Sequence, residues 1–254
     1  MKYFIVAFGI MVIAIPGICF SASAGNPAST IGKETYGITL EGEEQIKRLD
    51  GEIMRSRRYV GKIIWGMADR LDVYARLGAS DLRVENPDYP DFKTAPRSMT
   101  WGGGLRYLLA ESDDLPLEAY IDVQFLSFKA RASSDVEKTV SYGGWSDTYF
   151  EHHYTSYRYK EFQFSFITIW RHEVFSPYGG FALTNVSGHV DRKVTSDVWE
   201  GVTEEGNDFR EYGIAEAIAG MDIDLGGTGR FSFEVRLSDD SDISYFIGVS
   251  ELTR

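Results

Sequence analysis

The chain has 254 residues, 38 acidic against 26 basic, and a formal net charge of −12. That balance excludes recruitment of nucleic acid or anionic lipid by bulk attraction. A single cysteine, Cys19, excludes a disulfide framework within the chain.

The N-terminus carries Lys2 and then "FIVAFGIMVIAIPGICF", 17 residues without a charge, followed by "SASAGN". A basic start, an apolar run and the small-x-small triplet Ala22-Ser23-Ala24 predict a signal peptide over 1–24, cut before Gly25. The run is short for a membrane helix, and Pro16-Gly17 break it. Pro16, Gly17 and Ile18 do not form the small-residue approach that lipid attachment at Cys19 needs. Removing 1–24 also removes that cysteine and leaves 25 basic against 38 acidic residues, a charge of −13. Residues 25–33 then form an N-terminal segment and 34–254 the folded domain.

Beyond Gly25 the recurrent pattern has period two, which puts alternate side chains on opposite faces of a strand. Ten strands are predicted, at about 34–41, 53–67, 70–83, 98–110, 117–132, 156–172, 178–194, 209–224, 229–238 and 243–252. After the first, "EGEEQIKRLDGEI" reads as a loop or a short helix. Met99, Trp101, Gly103, Leu105, Tyr107 and Leu109 make one face of the fourth strand. Phe231, Phe233, Val235 and Leu237 alternate with Ser232, Glu234 and Arg236 in the ninth. Hydrophobicity changes phase near Leu126-Ser127 and Lys160-Glu161, as a bulge would cause. Connections alternate short (near 68–69, 111–116, 173–177 and 225–229) and long (42–52, 84–97, 133–155 and 195–208), with a short last hairpin on the long-loop side. With ten strands, both termini fall on the short-turn side.

The polar faces carry many charges: Arg58, Lys62, Asp72, Arg76, Arg106, Glu118, Asp122, Lys129, Arg131, Arg158, Glu161, Arg171, Glu216, Arg230, Glu234 and Arg236. If these face a lumen, it holds ten positive and six negative groups. Opposite charges in a narrow bore favour a filled, ion-paired interior over an empty one. The apolar faces include Gly103, Ala215, Ala217 and Ala219, which would pack a shared core poorly and suit contact with lipid. Trp65, Trp170 and Tyr178 near the short turns, and Trp101, Tyr157, Tyr159 and Tyr245 toward the long loops, are placed as interface girdles.

Over about residues 34–252 this pattern resembles the small outer-membrane β-barrels of Gram-negative bacteria. The stretches that carry it are "GKIIWGMADRLDVYARLGASDL", "GGGLRYLL" and "RFSFEVRLSDDSDISYFIGV". The resemblance implies an all-β fold: a single antiparallel transmembrane β-barrel, short periplasmic turns, long extracellular loops and residence in the cell outer membrane. It implies outer-membrane lipid as a partner, lipopolysaccharide as a further candidate, and the barrel-insertion machinery; no nucleic acid is expected. The chain departs from it at the end, Ser250 to Arg254, where such barrels carry a terminal aromatic that forms part of the assembly signal.

No residue set identifies a reaction. His152-His153, with Glu151 and Asp147, lacks a third ligand at metal-site spacing, and adjacent histidines in a strand point apart. His172 sits at a short turn. His189 and Asp191 share the inward face if Val186 and Val190 face lipid, and could form a base with its orienter. The ten-stranded proteases called omptins would require an Asp-x-His motif, which does not occur; Asp222-Ile223-Asp224 lies at the periplasmic end and Asp239-Asp240 has no partner motif. Nucleophile-elbow and phosphate-loop signatures do not occur either. Residues 41–52, 84–97, 133–154, 195–208 and 239–242 hold 20 acidic against 5 basic residues, read as solvated loops, with cation-bridged contact to lipopolysaccharide as the functional alternative. No catalytic residue, cofactor or metal is assigned. The expected role is structural or surface-interacting around a charged, filled lumen; a narrow porin-like channel is the alternative, and an outer-rim enzyme the third.

Overall fold

Strand alternation dictates the architecture. In the computed structural model, which describes residues 30–49, 52–85, 98–112, 114–198, 202–239 and 242–253, ten antiparallel strands close into one barrel. They are β1 (Tyr36–Leu49), β2 (Glu52–Ala68), β3 (Leu71–Glu85), β4 (Ser98–Glu111), β5 (Leu117–Tyr142), β6 (Trp145–Trp170), β7 (Phe175–Ser196), β8 (Thr203–Asp224), β9 (Gly229–Ser238) and β10 (Ile243–Thr253). Each pairs with its sequence neighbours, and β1 closes the ring on β10 from Tyr36↔Thr253 to Glu44↔Tyr245. The predicted signal peptide lies outside the described residues.

Polarity is inverted relative to a soluble barrel. Outward side chains include Ile38, Leu40, Ile63, Leu77, Leu105, Phe162, Phe181 and Leu237, all well exposed. Inward ones include Arg58, Lys62, Arg76, Asp122, Glu161 and Glu234, all buried. On β5 the outward apolar row runs from Leu117 to Phe125. At about 3.4 Å per residue and a tilt near 40°, that row spans roughly 20 Å of height, close to the roughly 25 Å of a membrane belt.

Several expected boundaries are corrected. β1 does not stop at 41: Thr39, Glu41, Glu43, Gln45 and Lys47 continue one inward face, so "EGEEQIKRL" is strand, neither loop nor helix. Most of 133–155 is strand as well. β5 and β6 pair up to Tyr142↔Trp145, and Gly143 and Gly144 turn between them with φ of +52° and +96°, the primed geometry of a two-residue hairpin. β7 and β8 likewise take up much of 195–208. The asymmetry between the two ends is therefore one of strand length: β5 to β8 extend as a sheet past the outer end of the belt. Of the predicted loop 84–97, residues 86–97 lie outside the described residues.

Hydrophobicity does change phase near Leu126 and Lys160, but no bulge causes it, because β5 and β6 keep one register throughout. What changes is the chemistry of each face. Beyond the belt the inward positions become apolar (Leu126, Phe128, Ala130, Tyr157, Tyr159) and the outward ones polar (Ser127, Lys129, Arg158, Lys160). The register shifts lie elsewhere, at Gly66/Ala68, Leu108/Ala110 and Thr184/Val186. In the last, Asn185 faces two residues of β8 and accepts a hydrogen bond from the Gly213 N–H at 2.8 Å.

Three inward aromatics lie over glycines directly across the ladder: Tyr74 over Gly104, Tyr178 over Gly220 and Phe209 over Gly188. A Cβ at any of these glycines would collide with the aromatic side chain. The missing side chain is what lets each ring fold into the bore.

Candidate functional site

The bore is the site that the wall builds, and it is filled in layers. Its middle is ionic. Arg76 reaches Glu41 at 2.8 Å and Gln124 at 3.0 Å and also contacts Glu43, while Lys62 meets Glu41 at 2.8 Å. Arg106 pairs with Asp122 at 3.1 Å, to which the Tyr74 hydroxyl donates at 2.9 Å. Arg236 binds Glu234 at 2.7 Å, Gln163 at 2.6 Å and Glu216 at 3.4 Å.

Some of these contacts cross the bore. Arg58 on β2 donates to Glu161 on β6 at 3.2 Å, and Lys47 on β1 lies 3.7 Å from the same carboxylate. In the ring, β6 stands four strands from β2 and five from β1, on the opposite wall. Tyr159 donates to Glu161 at 2.8 Å, and the Arg58 guanidinium sits 5.4 Å from the Tyr159 ring and 5.5 Å from that of Phe128. One carboxylate thus gathers cations from two strands across the bore.

Apolar layers flank the ionic one. Toward the outer end, Met54, Leu82, Leu126, Phe128, Tyr157, Tyr159, Val186, Val190 and Phe209 pack together, with Phe128 stacked on Tyr159 at 4.7 Å. Toward the short turns, Leu108, Tyr120, Ile167, Ile169, Tyr178, Ala182 and Ile218 form a second cluster. At the short-turn mouth is a cavity of about 530 Å³ lined by Arg171, His172, Glu173, Asp222, Asp224 and Arg230 among others.

Of the expected lumen residues, Arg58, Lys62, Asp72, Arg76, Arg106, Glu118, Asp122, Glu161, Glu216, Glu234 and Arg236 are buried. Lys129, Arg131 and Arg158 instead face outward, because β5 and β6 keep their register. Arg171 stands half-exposed at the mouth, 2.6 Å from Glu118. Sequence reasoning missed Glu41, Glu43, Lys47 and Asp222, so the expected excess of positive charge is reversed: among the described residues, nine acids and six bases lie buried on the inward face. The missed signal was the period-two run through Glu41, Glu43, Gln45 and Lys47. Three girdle expectations are also corrected. Trp65, Trp101 and Trp170 face outward, whereas Tyr157, Tyr159 and Tyr178 are buried in the bore.

The histidines lie outside the bore's ionic layer. Val186 and Val190 are buried inward, so His189 and Asp191 stand on the outward face, reversing the expectation. His189 Nδ1 meets Asp208 at 2.6 Å and Nε2 meets Asp191 at 2.9 Å; Asp191 also accepts from Arg158 at 3.3 Å. The bond to Asp208 raises the imidazole above its ordinary 6.5, burial opposes it, and Asp191 adds to the rise. His152 is likewise held between Asp135 at 2.7 Å and Asp197 at 2.9 Å, which raise it in that order. His153 points to the opposite face, 3.1 Å from Glu151. A neutral imidazole donates one hydrogen bond, so both of these two-carboxylate clamps are complete only with a protonated ring. His172 stacks on Phe175 at 4.5 Å near the short-turn mouth.

No family description and no curated protein matches the chain. Solved structures of similar shape include the translocator domain of the autotransporter NalP from Neisseria meningitidis (12% identity, 88% of this chain and 89% of that one, TM-score 0.44). OprG from Pseudomonas aeruginosa is another (11% identity, 89% and 100%, TM-score 0.37), as is the transport unit of the autotransporter AIDA-I from Escherichia coli (8% identity, 92% and 93%, TM-score 0.40). These likenesses are loose, and the assignment rests on this chain's own wall and bore. A closed ring of strands with an apolar belt outside and buried ion pairs inside is stable only where lipid surrounds it; the chain is a ten-stranded transmembrane β-barrel.

Proposed function

We propose that the protein is a non-conducting outer-membrane barrel, exported by a cleavable signal peptide, that holds a stiff sheet above the membrane in a structural or surface-interaction role. The observation that carries this reading is the bore-spanning set Arg58–Glu161 and Lys47–Glu161. The apolar cluster around Phe128 and Tyr159 stands between that layer and the outer end. An ion moving along the axis would have to part buried pairs and then cross a dry layer, and both steps are costly. The outer-rim enzyme reading lost its inward His189–Asp191 pair, which sits on an exposed sheet face.

Planar-bilayer recording of the full chain tests the proposal. A silent membrane at neutral pH is expected, with heat-modifiable gel mobility confirming a folded barrel in the same preparation. Stepwise openings would overturn it in favour of the narrow channel for small solutes. Recovery in the soluble periplasm, without a mobility shift, would refute the membrane reading as well.

A further inference from the structure

At the outer border of the belt, the outward rows of β5 and β6 change abruptly. On β6, Phe166, Phe164 and Phe162 give way to Lys160 and Arg158; on β5, Val123 and Phe125 give way to Ser127, Lys129 and Arg131. The strand register makes Lys129 the direct partner of Arg158, sets Lys160 opposite Ser127 and sets Arg131 opposite Ser156. Four exposed cations therefore crowd two neighbouring strands. Like charges facing each other across a ladder repel, so the sheet alone gives no reason for this arrangement. Asp191 answers one of them, at 3.3 Å from Arg158. The same juxtaposition recurs on the other side of β4, where Arg55 faces Arg83 outward beyond Tyr59 and Ala79.

The cluster also runs against the rest of the molecule, which carries a net −12 and whose outer sheet bears Asp135, Glu137, Asp147, Glu151 and Asp197. Its position singles out a partner. A soluble anion has no reason to bind where an apolar wall ends, but a lipid with anionic groups at the head of its acyl chains must place them there. We propose that Lys129, Arg131, Arg158 and Lys160 form a ledge that seats the phosphates of a phosphorylated outer-leaflet glycolipid, with its chains along the Phe125–Phe162 wall. Guanidinium groups bind phosphate oxygens in pairs, and the lysines add point charge. Contact is direct, with no divalent cation between. The inference rests on the chain spanning the membrane as a barrel.

The test compares purified full-length protein in micelles with lipid A and with its dephosphorylated form, reading retained lipid by native mass spectrometry. Wild type is expected to retain the phosphorylated lipid roughly tenfold better than the dephosphorylated one, and K129Q/R131Q/R158Q/K160Q to lose that preference. Equal retention of the two lipids by wild type, or undiminished preference in the variant, would overturn the ledge. So would binding that EDTA abolishes and the variant keeps, since that is the behaviour of cation bridging through the acidic residues. Heat-modifiable mobility on the same samples separates the two failures. A wild type without the shift loses the barrel reading and the ledge together, and a shifted wild type without preference loses the ledge alone. Should the variant fail to fold, the two lipids compared on wild type still decide.

Discussion

Charge pairs occur in two settings in this molecule, and the difference between them is instructive. In the bore, Arg58 and Glu161 meet at 3.2 Å with side chains 0% and 3% exposed. On the outer sheet, His189 and Asp208 meet at 2.6 Å with side chains 34% and 73% exposed. The shorter contact is the weaker one to rely on. Water and salt screen the outer pair, whereas a bore charge left without its partner has nothing to replace it. Where a pair sits, more than how close it is, sets what its loss costs.

The largest effect is expected at Glu161. It accepts from Arg58 and Tyr159 and lies 3.7 Å from Lys47, so Glu161→Ala should destabilise the barrel by about 3–5 kcal/mol, as breaking buried pairs does. Urea titration in micelles, followed by loss of heat-modifiable mobility, measures this. A cost below about 1 kcal/mol would mean that the bore is wet enough to screen its charges and would remove the contrast. Replacing Glu161 together with both its cations, as Lys47→Met, Arg58→Met and Glu161→Met, should recover much of the loss, because neither cation is left orphaned and Glu43 keeps Arg76.

Next comes the dry layer. Phe128→Ala removes a ring that is 3% exposed and stacked on Tyr159, and should cost about 3–4 kcal/mol in the same titration. An unchanged midpoint would show that this layer is loosely packed.

The outer clamps should respond to pH instead. Both His152 and His189 are raised above 6.5 in the folded chain. Their contribution is then complete below about pH 6.5 and is lost as pH rises through the raised folded values. Amide exchange in 145–155, 189–198 and 202–208 should quicken from pH 5.5 to 8.5 after correction for intrinsic rates. H152Q/H189Q should flatten that dependence while leaving the barrel's urea midpoint in place. A double variant that keeps the full pH response would assign it to other groups.

The smallest effect belongs to Lys193, 3.1 Å from Glu204 with both side chains about half-exposed or more. Lys193→Ala should shift stability by about 0.5 kcal/mol or less. A loss comparable to that of Glu161→Ala would erase the distinction between bore and outer sheet.

Much of this contrast was legible in the sequence and some of it was hidden, for a physical reason visible at β5 and β6. Along "LEAYIDVQF" apolar and polar residues alternate because lipid lies on one side and ionic bore on the other. Past Phe125 the wet and dry sides exchange: Phe128 and Tyr159 turn into the capped bore, while Lys129 and Arg158 turn out to water and headgroups. In a linear pattern that exchange is indistinguishable from a one-residue slip of register. β1 was hidden differently. "EGEEQIK" looks too charged for a wall until its odd positions find Arg58 and Lys62 on the adjacent β2 and Arg76 on β3.

By itself, then, the sequence determined the ten alternating strands, their order, the membrane-facing residues of the belt and a charged interior, since all of these follow from period two and local turn chemistry. Tertiary structure alone decided which acid meets which base, that the bore is layered and crossed, and that His152, His189 and a row of cations face outward. Those outcomes depend on closure of the ring. Closure brings Lys47 to Glu161 from opposite walls, and it defines an outer border of the belt where the two faces of a strand exchange roles.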